Sequence, residues 1–256
     1  MKRRNRLLSI ALILAAFTAA AAAVTFKSQD APQNSNADRK VEREEPTLIQ
    51  EGQATPRQRE HGKLFKHPGP KLLEIAARRS GDIEVQEGED LVIQIPTASS
   101  KRPLFLSAVC NADAVVIGTL TNKVSQLTAE GTFVFTDHDL RVEEVIKNNS
   151  AAPIELGNAI GVTRDGGIVE LNHRILRARP DFEPPLVGNR YLLFLRFIPV
   201  TGSYLMYGNG AFELNSQSIK ALGSAASQEL LKADQTEPSS FIQQIRAFGA
   251  TDCGSK

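Results

Sequence analysis

The sequence predicts a mainly β protein: a small closed or partly closed antiparallel barrel flanked by helices, behind an N-terminal hydrophobic segment and a polar stalk. Three observations carry that expectation. Short β-branched and aromatic runs recur from Ala114 to Leu214, separated by turns rich in Gly, Asn and Asp. Helical patterns stand at the ends of this stretch and not within it. The first quarter of the 256 residues differs so much in composition from the rest that about one compact domain remains to bury a core.

Lys2, Arg3, Arg4 and Arg6 form a basic region ahead of Leu7 to Phe26, which carries no charge, and Ala21-Ala22-Ala23 supplies a small-x-small cleavage pattern. Residues 1–26 are therefore a signal peptide or, since about 20 apolar residues span a bilayer, a retained transmembrane anchor. In either case the basic flank stays inside and Lys27 onward faces out. No Cys lies near the cleavage point, which excludes a bacterial lipoprotein. The expected location is the periplasm or the extracellular space, with membrane contact through residues 7–26 alone if they are kept. Cleavage after Ala23 removes four of the 30 Lys and Arg and none of the 29 Asp and Glu, moving the net charge from +1 to −3. A mildly acidic exported domain is not expected to bind nucleic acid.

Residues 27–62 hold few sizeable apolar side chains, only Val41, Leu48 and Ile49, and are expected to be a disordered linker. Residues 63–100 form an extension. Pro70 opens a short helix through Leu72, Leu73, Ile75 and Ala76, and Gly81 ends it. Ile83 and Val85, the turn Glu87-Gly88-Glu89-Asp90 and the run Leu91 to Ile95 then make a hairpin pattern. The acidic turn lacks the ligand spacing of a calcium loop. Thr97 to Pro103 is a polar connection.

The barrel is expected over residues 104–253. Its first strand, Ala114 to Leu120, contains Gly118, which marks a bulge or bend. A long strand runs from Thr132 to Ile146 and breaks at Asn148-Asn149-Ser150. Ile160 and Val162 form the next, closed by Asp165-Gly166-Gly167 as a tight hairpin whose return strand is Ile168 to Leu176. Tyr191 to Ile198 reads as a strand buried on both faces. Thr201-Gly202-Ser203 turns the chain into Tyr204 to Tyr207, and Gly208-Asn209-Gly210 leads to Ala211 to Leu214. Helices close the chain at Ser227 to Ala233 and Ser239 to Phe248, the latter with Phe241, Ile242, Ile245 and Phe248 on one face.

Asp137-His138-Asp139 is the most tempting ligand triplet. Period two points Asp137 and Asp139 to one face of a strand and His138 to the other, so the three cannot chelate one ion, and polarity on a barrel surface is the simpler reading. His61 and His67 lie in or beside the linker, and His173 stands alone. No His-Glu-x-x-His, Gly-x-Ser-x-Gly, phosphate-loop or Cys-x-x-Cys pattern occurs. Arg174, Arg177, Arg179 and Arg190 read as a solvated rim, and the tyrosines and phenylalanines of the strands as core or as packing for the last helix. No catalytic residue, cofactor or metal is assigned.

Cys110 and Cys253 are the two cysteines, and export places them where disulfides persist. Pairing would tie the two ends of the domain together; the alternative is two buried or free thiols. Cys110-Asn111-Ala112-Asp113 leading into Ala114-Val115-Val116-Ile117, the strand ending Val142-Glu143-Glu144-Val145-Ile146-Lys147 and the later Gly188-x-x-Tyr191-Leu192-Leu193-Phe194 resemble the netrin-like domain. That domain occurs in tissue inhibitors of metalloproteinases, in netrins, in complement components and in exported bacterial proteins. The resemblance covers Leu104 to Cys253. It implies a five-stranded barrel of the oligonucleotide/oligosaccharide-binding (OB) type, bent at Gly118, with the late helices packed on it and Cys110 paired to Cys253. It does not imply metalloprotease inhibition, because those inhibitors use an N-terminal Cys-x-Cys that this chain lacks. The expected function is an exported, non-catalytic binding or interaction module whose partner is another envelope or extracellular protein. The alternatives are a protease inhibitor acting through a loop edge such as Asp165-Gly166-Gly167, and an envelope enzyme assembled from scattered Asp, His and Ser residues.

Overall fold

Apolar side chains alternating along the long runs give strands whose two faces are both buried, and this decides the architecture. The computed structural model describes residues 47–48, 54–78, 81–86, 104–179, 183–223 and 237–249, all within the unit Glu44–Lys256. The protein is mainly β, with helices flanking its sheets. In chain order the elements are β1 (Thr47–Leu48), α1 (Pro56–Gly62), α2 (Leu72–Arg78), β2 (Ile83–Gln86), α3 (Leu104–Asn111), β3 (Ala114–Leu127), β4 (Val134–Lys147) and β5 (Ala159–Asp165). They continue as β6 (Gly167–Leu171), β7 (Arg174–Arg179), β8 (Arg190–Ile198), β9 (Ser203–Leu214), β10 (Ile219–Ala221) and α4 (Pro238–Gly249).

The larger sheet has the order β10-β9-β5-β4-β3-β8, and β8 also pairs with β9. Each of β3, β4, β5, β9 and β8 thus has a hydrogen-bonded neighbour on both sides. All these pairings are antiparallel except β5 with β9, which is parallel and joins Val162 to Tyr204 and Thr163 to Leu205. On β3, Val115 and Ile117 join a core with Leu192, Phe194 and Phe212 that α4 covers with Phe241, Ile242 and Ile245. Ala114 and Val116 point the other way, into a core with Leu140, Val142, Tyr191, Leu193, Leu195 and Met206. Gly118 sits at a register shift between β3 and β4, and a Cβ there would collide with the Arg141 carbonyl oxygen. The bulge expected at this glycine is present.

A second, four-stranded sheet has the order β1-β6-β7-β2. The extension is therefore not separate from the barrel region: its β1 and β2 flank β6 and β7, and α2 packs Leu72 and Ala76 on Phe133, Val169 and Leu176. Here several expectations are corrected. Residues 54–62 are not linker, because Pro56–Gly62 is a capped helix. Ile83–Gln86 pairs in parallel with β7, and residues 87–95 of the expected hairpin lie outside the described residues. Asp165-Gly166-Gly167 makes no hairpin, since β5 and β6 belong to different sheets. Gly166 (φ 79°) and Gly167 (φ 145°) instead carry the chain from one sheet to the other. The hairpin is turned by Asn172 (φ 52°) and His173 (φ 60°), both left-handed as a two-residue I′-like turn requires.

Gly208-Asn209-Gly210 does not divide its strand either. Leu193 faces Ala211 and Leu195 faces Met206, so the extra residues bulge within a continuous β9. Gly210 lies against the Phe194 side chain, where a Cβ would be too close. Helix α3 stands where no element was expected, while α2, β3, β4, β5, β8 and α4 stand where they were. The segment 1–26, most of the 27–62 linker, the Ser227 to Ala233 helix and Cys253 lie outside the described residues. Substituting Gly118→Ala should cost about 1–3 kcal/mol by overpacking β3 against β4; an unchanged thermal midpoint would refute that close approach.

Candidate functional site

The strand β4 buries three consecutive polar residues, Thr136, Asp137 and His138. Polarity on a barrel surface is thus the wrong reading of Asp137 and His138, although the alternation read from the sequence is correct. Asp137 and Asp139 face α1, and His138 faces the opposite way, toward Arg164 of β5.

Helix α1 is only one or two turns long, too short to be stable alone. Its start is well specified: the Thr55 hydroxyl accepts from the Gln58 amide at 3.2 Å, and the Gln58 side-chain oxygen accepts from the Thr55 amide at 2.7 Å. That reciprocal capping box, with Pro56 at the first helical position, orients the helix. At its other end His61 is fully buried. His61 Nδ1 donates to Asp137 Oδ1 at 2.7 Å. His61 Nε2 lies 2.6 Å from Ser203 Oγ and 2.9 Å from Thr201 Oγ1, and these two hydroxyls are 2.6 Å apart. The partners set the tautomer: a carboxylate only accepts, so the proton sits on Nδ1 and Nε2 accepts from a hydroxyl.

Neighbouring contacts seat the same segment. The Arg57 guanidinium lies 3.6 Å from Asp139 Oδ1, on the exposed margin, and over Gly161 of β5, where a side chain would meet Arg57 Nη1 at 2.9 Å. Gly62 accepts from the Ala129 amide at 3.0 Å. Phe65 stacks on Phe135 with centroids 5.8 Å apart. The outward residues Phe135, Asp137 and Asp139 of β4 are all engaged by Arg57, His61 and Phe65.

On the inner face, His138 is buried and its pKa is lowered to about 3, first by loss of solvation and then by the positive charges of Arg164 and Lys123. Arg164 is itself buried and donates to the carbonyls of Asp165 (3.1 Å) and Glu183 (3.3 Å). Thr136, His138, Arg164, Gly166, Gly167, Pro184 and Pro185 line a cleft with room for nothing larger than about one water molecule.

An Asp-His-hydroxyl series is the arrangement of a general-base relay. Here Ser203 is 2% exposed and His61 is closed off entirely. The amides of Thr201 and Gly202 both donate to the Ile198 carbonyl, at 3.2 and 3.0 Å, so this turn presents neither of them to a developing oxyanion. The larger surface pocket, lined by Ala152 to Glu155, Asn158 to Ile160, Gly202 and Tyr204, includes none of His61, Asp137 and Ser203. The series closes on itself as a polar clasp joining α1, β4 and the β8–β9 turn.

His61, placed in the linker by its sequence position, is the residue that reasoning from sequence missed. The signal that could have found it was Thr55-Pro56-x-Gln58, a helix start six residues upstream of a histidine. His173 is instead exposed at the β6–β7 turn. The four arginines form no common patch: Arg174, Arg177 and Arg179 belong to β7, whereas Arg190 of β8 donates to Glu143 at 2.7 Å. Tyr191, Tyr204, Phe194 and Phe212 are core, and Phe212 meets Phe241 of α4 at 5.2 Å, as expected. Cys110 is half-buried near the end of α3. Among the described residues no group of three or more His, Cys, Asp or Glu could hold a metal ion. No protein-family model and no curated protein matches the chain.

Breaking a buried pair leaves its partner uncompensated, so His61→Ala should destabilise by about 3–5 kcal/mol, and Ser203→Ala by about 1–2 kcal/mol; denaturant unfolding of both variants checks the order. His138 has a second consequence. Its folded pKa of about 3 lies below its ordinary 6.5, so between these values the unfolded chain binds more protons. The contribution is complete above pH 6.5 and is lost as pH falls toward 3, at up to about 1.4 kcal/mol per unit. A His138→Met variant should flatten this part of the stability profile, and an unchanged slope would refute the assignment.

Proposed function

We propose that the chain is an exported, non-catalytic binding or interaction module on a netrin-like, OB-type barrel, whose partner is another envelope or extracellular protein. The observation that carries this reading is the circuit of pairings β3-β4-β5-β9-β8-β3, which fits a five-stranded, partly open Greek-key barrel. The residues behind the resemblance have matching physical work at the start of β3. Asp113 accepts from the Phe197 amide at 2.8 Å, and its own amide donates to Leu195. Lys147, at the end of β4, donates to the carbonyls of Val109, Cys110 and Ala112 at 2.9, 3.3 and 2.6 Å, capping α3 with positive charge.

Export rests on residues 1–26, cleaved or kept as an anchor. A Cys110–Cys253 disulfide is part of the proposal: α3 and α4 pack together, and α4 ends at Gly249, four residues before Cys253. The loop-edge inhibitor loses its motivation, because Gly166 is buried and Gly167 lies against Thr136 and Ser125 rather than on a free edge. One observation favours a second reading, an envelope hydrolase, namely the Asp137–His61–Ser203 series. Burial and the engaged turn amides weigh against it.

Crosslinking and pull-down of the exported chain from its native envelope should recover a specific protein partner that an unrelated exported barrel does not recover. Non-reducing mass spectrometry of the same material should find Cys110 joined to Cys253, and two free thiols would remove the main chemical support for the family reading. A fluorophosphonate probe should leave Ser203 unlabelled; labelling abolished by Ser203→Ala would instead establish the hydrolase.

A further inference from the structure

Helix α1 is held in an unusual way for a surface helix. Pro56–Gly62 contains no large apolar side chain, and its buried residues are Gln58, His61 and Gly62. What attaches it is a pair of basic residues meeting a pair of acidic ones. Arg57 and His61 are four apart and share one helix face. Asp137 and Asp139 are two apart and share one strand face. The match is Arg57 with Asp139 and His61 with Asp137, extended by the hydroxyls of Thr201 and Ser203.

The acidic side offers more than the helix uses. Asp137 is 3% exposed, and its Oδ2 has no hydrogen-bond partner among the described residues. A carboxylate with one engaged and one idle oxygen, buried beneath a basic segment, can take a forked donor such as a guanidinium on both oxygens. The missing Cβ of Gly161 leaves the space that Arg57 crosses, so the groove is shaped for a long basic side chain.

We propose that the outward face of β4 and β5, with the β8–β9 turn, is a recognition site for a helical segment bearing two basic residues four apart, and that Thr55–Phe65 is its resident ligand in cis. The partner is a segment of another protein presenting Arg-x-x-x-His or Arg-x-x-x-Arg. Such a segment replaces the resident contact for contact, so Asp137 is never left buried and unpaired during the exchange. The competing segment must overcome the effective concentration of the tethered one, on the order of millimolar for a short link. This inference rests on the interaction-module reading and names the surface and partner class for it.

The test uses the full exported chain and a fluorescent synthetic peptide of residues 54–66. Arg57→Ala combined with His61→Ala empties the site of its basic groups, and the peptide should bind this variant at least tenfold more tightly than the wild-type chain. Adding Asp137→Asn to the variant should reduce that binding at least tenfold, and a peptide carrying H61R should bind at least as well as the native one. Equal binding to wild type and to the emptied variant, or binding indifferent to Asp137→Asn, would overturn the proposal. If the double variant loses cooperative unfolding, His61→Asn takes its place: it keeps an amide donor within reach of Asp137 while releasing Thr201 and Ser203. Absence of peptide binding to that variant counts equally against the site. A partner crosslinked in the envelope to a different face would leave the module reading standing and remove this one. Peptide binding without any envelope partner would do the reverse.

Discussion

A carboxylate taken out of water costs several kcal/mol unless a partner compensates it, and Asp137 sits in the middle of β4 with His61 as its basic partner. That single requirement governs the chain from Thr47 to Gln86. The residues ahead of the barrel must fold back across β4 so that His61 reaches a carboxylate 76 positions later. Once they do, α2 lies over Phe133 and Val169, β1 reaches β6 and β2 reaches β7. The second sheet is therefore assembled from both sides of the barrel sequence. Neither β6 with β7 nor the short flanking strands would be a stable sheet alone.

The same strand explains why the polar residues are layered rather than scattered. Along β4, Leu140 and Val142 enter an apolar core, but His138 and Thr136 on that face meet Arg164 and Ser125 instead. Thr136 donates to the Gly166 carbonyl at 2.6 Å where the chain leaves the larger sheet. The crossing between sheets is thus secured by hydrogen bonds, which suits a segment whose glycines have no side chains to pack. A buried histidine there stays neutral because burial and two cations all disfavour its charge.

The legible part of the fold is the part with a local cause. Strands β3, β4, β5 and β8 carry enough apolar side chains to be read directly, and Gly118 marks its own bulge because no larger residue fits against Arg141. Helix α4 shows its face through Phe241, Ile242 and Ile245. The rest had distant causes. Pro56–Gly62 has the composition of linker because it is held by ion pairing and hydrogen bonds, which leave no apolar period. Asp165-Gly166-Gly167 has hairpin chemistry, yet the positive φ angles of its glycines serve an exit from the sheet. The true turn at Asn172-His173 uses residues that tolerate the left-handed region less readily than glycine. The alternation of Asp137, His138 and Asp139 was legible, but their burial depended on α1 and β5 arriving from elsewhere.

Histidine is suited to this clasp because its two ring nitrogens do different things. Nδ1 donates to Asp137, while Nε2 accepts from a hydroxyl, so the hydrogen bonds run in one direction from the β8–β9 turn through the ring to β4. Thr201 and Ser203 complete the sequence, since one hydroxyl can donate to Nε2 while the other donates to it. The three segments so joined are 76 and 142 residues apart along the chain. A series of this kind becomes catalytic when its terminal hydroxyl faces a substrate and nearby amides await a charge. With Ser203 buried and the amides of Thr201 and Gly202 already bonded to Ile198, the same groups act as a fastening. The chemistry of a relay and the chemistry of a clasp differ here by access alone, and access is what α1 removes.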